Sequence, residues 1–230
     1  LLQFGPRPAK GEGGIGGWAA LWKQSGNRQV MYHITSYGVT DVGLERTNNE
    51  DAFHISAADG LYVVCDGMGG HASGEIASAI TVETMARFVG TTIHDPNFRW
   101  PFNSPTATTL ETRILDCAVR LANRDVFNAA QDDVKHHGMG TTVVAMLAGE
   151  TQLGAVHVGD SRIYRLRDGK LEPVTEDHSL LNHYRRTRPM TKDEIKNFKG
   201  KNVIVRAVGL RESVQPEVHV VDYRIGDRFL

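Results

Sequence analysis

From Val30 onward the chain is built of short apolar runs separated by turn residues, and two longer stretches with helical spacing interrupt that texture. Residues 31–39 and 52–57 predict strands on either side of an acidic pair. Residues 61–65 predict a buried strand, because a short unbroken apolar run suits a strand covered on both faces. Ala79, Val82, Ala86 and Val89 recur at steps of three, four and three, which predicts a helix over 73–89 with those residues on its inner stripe. Leu110, Ile114, Cys117 and Leu121 do the same for a helix over 106–130, and the proline-bearing segment 91–105 predicts the loop between them. The pattern then turns to β. Strands are predicted at 141–148 and 152–158 around Gly149-Glu150, and 161–166 and 171–175 flank Asp168-Gly169, a strong hairpin dipeptide. Residues 177–201 are polar, with one helix predicted at 191–198, and short stretches follow at 203–208, 217–223 and 228–230. Two helices set into a run of hairpins predict an α+β fold. The expected packing is two antiparallel sheets face to face, flanked by helices. No internal repeat is visible.

Residues 1–29 differ in texture. Two prolines and a glycine cluster at 11–17 predict a linker or arm ahead of a domain at 30–230, with Trp18, Leu21 and Trp22 available to dock on its surface. Composition narrows the class of protein. A hydrophobic fraction of 40% and a charged fraction of 23% are those of an ordinary soluble globular chain. A formal net charge of -1 argues against nucleic acid or a membrane surface as the main partner. Two cysteines, Cys65 and Cys117, are too few for a disulfide framework or a zinc site and read as buried hydrophobes, which fits a reducing, cytoplasmic setting. No apolar run is long enough to span a membrane, and the start has neither a signal-peptide layout nor an initiator Met, so the chain is expected to begin inside a longer protein.

The candidate chemistry lies in carboxylates at strand ends. The apolar run 61–65 delivers Asp66 into a loop that opens with Gly67, and Glu50 and Asp51 stand just ahead of another short apolar run. Mg²⁺ and Mn²⁺ take oxygen ligands, keep several waters and need one or two carboxylates each. Glycine lets the backbone turn and bring a carbonyl close to the ion. The segment Gly67-Met68-Gly69-Gly70-His71-Ala72 also fits the dinucleotide fingerprint G-x-G-x-x-A. That reading needs a second parallel strand ending in an acidic residue about 20 positions on. The corresponding region here is predicted helix.

Five segments in order carry a family resemblance: Arg46-Thr47-Asn48-Asn49-Glu50-Asp51, Asp66-Gly67-Met68-Gly69-Gly70-His71, Gly138-Met139-Gly140-Thr141-Thr142, Gly159-Asp160-Ser161-Arg162 and Val205-Arg206-Ala207-Val208-Gly209. Together they resemble the metal-dependent protein serine/threonine phosphatases of type 2C, in their bacterial form, over roughly residues 32–230. The resemblance implies a β-sandwich with helices on its outer faces and two Mn²⁺ or Mg²⁺ ions. It implies that Asp66 bridges the ions, that the Gly67 carbonyl binds one of them, and that Glu50 and Asp51 hold that ion directly or through its water shell. Arg46 takes the place of the phosphate-binding arginine, whose guanidinium donates two parallel hydrogen bonds to a phosphate dianion. Asp160 matches an aspartate that binds a third, weaker ion, and residues 177–201 match a flap beside the active site. The implied chemistry is two-metal hydrolysis, in which an activated water attacks phosphorus in line with the leaving oxygen, with no phospho-enzyme and no cysteine nucleophile.

Each of these residues has a plainer reading. Glu50 and Asp51 suit a turn before a strand, Asp66 a helix cap, and Arg46 a solvated surface; five motifs in order weigh toward function. For Asp160 the two readings stand level, ion ligand or shaper of the Gly-Asp-Ser turn. His71 reads as a structural residue, and His136 and His137 receive no role. Two departures from the family matter. Met68 stands where animal members carry a histidine thought to be the general acid, a replacement common in bacterial members. The family also continues beyond the Asp-Arg-Phe-Leu stretch at 227–230 into Ser-Asp-Gly and Asp-Asn motifs that complete one metal site, so the chain reads as C-terminally truncated. The expected substrates are phosphorylated proteins, with a serine/threonine kinase as a partner by analogy only. The alternative is a catalytically degenerate domain that binds phosphoproteins.

Overall fold

The computed structural model describes residues 2–5, 18–25, 28–69, 73–95 and 97–230. Its strands are β1 (Leu2–Gly5), β2 (Trp18–Ser25), β3 (Arg28–Ser36), β4 (Asp51–Ser56), β5 (Leu61–Met68), β6 (Gly140–Thr141), β7 (Val143–Ala148), β8 (Leu153–Val158), β9 (Tyr164–Arg167), β10 (Lys170–Pro173), β11 (Glu217–Val221) and β12 (Arg228–Phe229). Its α-helices are α1 (Ser73–Thr92), α2 (Leu110–Asp132), α3 (Leu180–Thr187) and α4 (Lys192–Asn197). One sheet runs β10-β9-β12-β1-β3-β2 and the other β11-β8-β7-β5-β4, with β6 paired to β5. Every ladder is antiparallel. No βαβ unit exists among the described residues, so the dinucleotide reading of 67–72 lapses.

Strand β5 shows why its sequence is so uniformly apolar. Successive side chains point to opposite faces. Leu61, Val63 and Cys65 enter a core with Met85 of α1 and Leu115 of α2, while Tyr62 enters a second core with Ile34, Met146 and Phe229 of the two sheets. Both faces are covered over residues 61–63, so no polar alternation appears there, whereas Val64 and Asp66 on the second face are exposed. The two long helices lie on the same side, α1 against β4 and β5, α2 against β7, β8 and β11. The expected fold class is therefore met. No helix among the described residues is long and apolar enough to cross a membrane.

Several elements depart from expectation, each for a physical reason. The predicted arm at 1–29 contributes two strands: β2 pairs with β3, and β1 lies between β3 and β12, with Leu2 buried between the sheets. Strand pairing overrides local Pro/Gly content there, and the glycine cluster at 11–17 lies outside the described residues, as does His71. The inner face of α1 is rotated from the predicted stripe: Ala79 is exposed, and Ala77, Ser78, Thr81, Met85 and Phe88 are buried. Hydroxyls make that face possible, since Ser78 donates to Glu50 O at 2.7 Å and Thr81 to Ala77 O at 2.8 Å. Helix α3 was not expected. It is eight residues long, buries none of them and starts at Ser179, whose hydroxyl accepts from Asn182 N–H at 3.2 Å. Residues 203–208 make only isolated bridges, Ser179 with Ile204 and Thr141 with Val208.

The return from that excursion is held by one side chain. Asn123 of α2 donates to Arg211 O at 3.0 Å and Glu212 O at 3.1 Å, and accepts from Gly209 N–H at 2.8 Å. Gly209 has φ +90, and a Cβ there would collide with Val126. Asn123→Ala should lower the unfolding free energy by about 2–3 kcal/mol, because it strands buried backbone groups without partners. Chemical denaturation of both proteins checks this; an unchanged midpoint would show that the loop is held elsewhere.

Candidate active site

The antiparallel register of β4 and β5 sets Asp51 opposite Asp66. Asp66 shares the β5 face of Tyr62 and Val64, so it stands at the end of the layer between the sheets, while Cys65 and Gly67 face the helices. Gly67 is a glycine because α1 approaches closely. A Cβ at Gly67 would run into Gly74 O and lie 2.6 Å from Glu50 O, and a Cβ at Gly74 would lie 2.5 Å from Glu50 Oε1. Glu50 is thus wedged between the strand end and the first turn of α1, and its carbonyl accepts from Gly67 N–H at 3.0 Å and from Ser78. Asp51 is set by an Asx turn, in which its N–H donates to Asn49 Oδ1 at 3.0 Å and Asn49 donates to Thr40 Oγ1 at 2.9 Å.

The loop after β8 adds Asp160. Gly159 has φ +105, and a Cβ there would lie 2.8 Å from Thr142 Cβ. Thr142 joins the two parts of the site: its hydroxyl accepts from Asp66 N–H at 3.1 Å and lies 2.6 Å from Ser161 Oγ. Thr142 and Ser161 fall within segments that the sequence marked, but residue type alone did not reveal this bridging role.

Asp66 is therefore surrounded by negative charge. Partial burial first, then the charge of Asp51, and more weakly Asp160 and Glu50, raise its carboxyl above the ordinary range, while Arg46 opposes them. Arg46 is largely exposed and reaches Glu50 Oε2 at 2.7 Å. Carboxylates set opposite each other on adjacent strands repel, and among the described residues one guanidinium, that of Arg46, offsets the charges acting on Asp66. This all-oxygen, cation-poor donor set fits a hard divalent ion. Among the described residues the carboxylates do not close into a tight three-residue cage, which suits ions that keep waters between themselves and the protein. Met68 is half-buried and has no proton to give. Cys65 and Cys117 are free and buried, and burial raises both thiols, so neither offers a thiolate.

A second cluster was not foreseen. His157, His178 and Glu217 bring one ligand atom each within 4.8 Å of the others. Hydrogen bonding argues against a metal there. His178 Nδ1 accepts from Gly159 N–H at 3.2 Å, so Nε2 carries the proton and faces Glu217 Oε2 at 3.2 Å. The carboxylate is shared as well, since Arg186 reaches Glu217 Oε2 at 3.3 Å. The His157 and His178 rings stack at 4.4 Å and 20°. Burial first, then His157 and Arg206, lower His178 to about 4. The cluster is a neutral-histidine clamp joining β8, β11 and the root of α3.

A helix-flanked sandwich that gathers carboxylates and an arginine at one end defines a metal-dependent phosphatase. Residues 45–208 match the family model described as Protein phosphatase 2C. The serine/threonine phosphatase Stp of Listeria innocua is 32% identical over 196 residues, covering 83% of this chain and 73% of its own length. PstP of Mycobacterium tuberculosis is 35% identical over 191 residues, covering 83% of this chain and 34% of its own length. The crystal structure of the M. tuberculosis phosphatase PstP/Ppp aligns with a TM-score of 0.68 at 30% identity, over 93% of this chain and 76% of that one. A structure of the PstP catalytic domain in complex with two manganese ions aligns with a TM-score of 0.65 at 29% identity, over 100% of this chain and 76% of that one. The chain belongs to the protein phosphatase 2C family.

The histidine clamp predicts an acid limit on stability. The folded state holds His178 neutral down to about 4, whereas the unfolded chain protonates it near 6.5. Between those values the unfolded state binds more protons, so stability is full above the upper value and falls as the pH drops toward the lower one. The slope should reach on the order of 1 kcal/mol per pH unit. Urea unfolding across that range should show it and His178→Gln should flatten it; a flat wild-type profile would contradict the assignment.

Proposed function

We propose that the protein hydrolyses phosphoserine and phosphothreonine in proteins with a metal-activated water at a binuclear Mn²⁺ or Mg²⁺ site. The observation that carries this reading is the placement of Asp66 opposite Asp51, with the charges of Glu50 and Asp160 acting on it and Arg46 opposing them. Asp66 would touch both ions, Gly67 O, Glu50 and Asp51 would hold one of them, and Asp160 would hold a third. Bound ions would supply the Lewis acidity that makes water a nucleophile near neutral pH and offsets charge on the phosphoryl oxygens. Arg46 would exchange its bond to Glu50 for a bidentate grip on the substrate phosphate. The leaving serine or threonine oxygen would take its proton from a water held by an ion or from another residue, since Met68 has none to give. PstP's two manganese ions and the serine/threonine phosphatase relatives support this reading. Free, buried cysteines suit the cytoplasm, and a serine/threonine kinase is the natural opposing partner.

The product of the whole gene should hydrolyse p-nitrophenyl phosphate and phosphothreonine peptides only with added Mn²⁺ or Mg²⁺. Asp66→Asn should reduce turnover by about 10³-fold or more, because one carboxylate serves two ions. Full activity in excess EDTA would defeat the metal mechanism, and phosphopeptide binding without turnover would favour the degenerate binding domain.

Gly74→Ala should act on the metal through Glu50. The new Cβ would displace that carboxylate while removing a helix glycine that costs about 1 kcal/mol relative to alanine. The Mn²⁺ concentration for half-maximal activity should rise about tenfold or more, in the range seen when groups supporting a metal site are disturbed. An unchanged Mn²⁺ requirement would separate Glu50 from the ion.

A further inference from the structure

The segment between Asp177 and Val205 is a small helical insertion whose two ends meet beside Asp160. His178 N–H donates to Gly159 O at 2.8 Å, Val205 N–H donates to His178 O at 2.9 Å, and Arg162 grips Asp177 through two bonds at 2.7 and 2.6 Å. Gly159 precedes Asp160, whose charge reaches Asp66, and Ser161 follows it and bonds Thr142. The root of the insertion is therefore fixed within a few bonded steps of the carboxylate cluster.

The insertion's charge is opposite to that of the cluster. Seven of the nine charged residues between Ser179 and Ile204 are Arg or Lys, in a chain with a formal net charge of -1. Two of them are committed: Arg186 to Glu176 and Glu217, and Arg188 to Glu194. Arg185, Lys192, Lys196, Lys199 and Lys201 are exposed and form no ion pair among the described residues. The core does not explain them, because α3 and α4 bury none of their residues. The helices are instead shaped locally, by the Thr191–Glu194 capping box and by Tyr184 packed on Phe198 at 5.5 Å between ring centres. An unbalanced basic surface whose root is anchored next to a phosphate-handling site raises the local concentration of anions that arrive together with the phosphate.

We infer that this insertion selects phosphoproteins in which the phosphorylated residue is flanked by aspartate and glutamate. The basic residues would hold those flanks by long-range attraction and exposed pairs, while Arg46 holds the phosphate. This rests on the phosphatase reading above and adds the substrate's chemical class to it.

The test uses three phosphothreonine peptides of equal length, flanked by Glu, Ala or Lys, and the protein made from the whole gene with Mn²⁺. At low ionic strength kcat/KM for the Glu peptide should exceed that for the Lys peptide about tenfold or more, mainly through KM, since several exposed pairs act together. The ratio should fall toward one as salt shortens the range of the attraction to a few ångströms. The charge-reversed variant K192E/K196E/K199E should lose or invert the preference. Equal kcat/KM for all three peptides would overturn the inference and leave the phosphatase reading intact, and so would a preference that survives charge reversal. A variant that loses binding to a DNA oligonucleotide while keeping the peptide preference would assign the surface to a different polyanion and overturn it as well. No Mn²⁺-dependent turnover of any peptide or of p-nitrophenyl phosphate would bring down the phosphatase reading, and this inference with it.

Discussion

Two carboxylates facing each other across adjacent strands are the constraint from which the rest of the site follows. Asp51 and Asp66 are held opposite by the β4–β5 register, and a shift by one residue would turn Asp66 into the helix-facing core. That register is secured by the two-sided burial of β5, where Leu61, Val63 and Cys65 pack on helices and Tyr62 packs on the other sheet. Apolar burial on the two faces of β5 thus fixes a repulsive pair in place. Glu50 and Asp160 add to the repulsion, and Arg46 alone opposes it. A divalent cation resolves this imbalance with the least rearrangement.

Close backbone contact is the means by which the carboxylates are aimed. Gly67 and Gly74 let the first turn of α1 press against the end of β5, and Glu50 is trapped at that contact. Gly159 does the same for the loop after β8, where Thr142 touches both the Asp66 amide and Ser161. The glycines of this site serve proximity more than flexibility: at Gly67 and Gly74 the backbone is ordinary and the space is absent. The neutral clamp of His157 and His178 ties a basic, core-free insertion to the same loop, so the acidic cluster and its basic neighbour share one anchor.

Much of this was legible before the coordinates. The alternation of apolar runs and turns located the strands from β4 to β9 and both long helices; two-sided burial gave β7 and β8 a strong apolar signature, and the Asp168-Gly169 turn marked β9. The ordered motifs around Glu50, Asp66 and Asp160 pointed to carboxylates whose charges act together on Asp66. What escaped had weak local signals. β2 owes its state to pairing with β3 rather than to propensity. The inner face of α1 is lined with Ser78, Thr81 and Thr84, whose satisfied hydroxyls make polar residues suitable for burial and so erase the expected stripe. Helix α3 is only eight residues long and buries none of them, so the short stripe of Leu180, Leu181 and Tyr184 is too brief to stand out from the polar stretch around it. The histidine clamp joins residues far apart in sequence, and neither His157 nor His178 carries a spacing that points to the other.

The central claim is that the cation belongs to the Asp66 cluster and not to the cluster of His157, His178 and Glu217. Anomalous scattering from crystals grown with Mn²⁺ tests it most directly. The account predicts manganese peaks beside Asp66, with its carboxylate and the Gly67 carbonyl at about 2.1 Å, the distance of a small hard ion from oxygen. Peaks at His157, His178 and Glu217 with none beside Asp66 would contradict it.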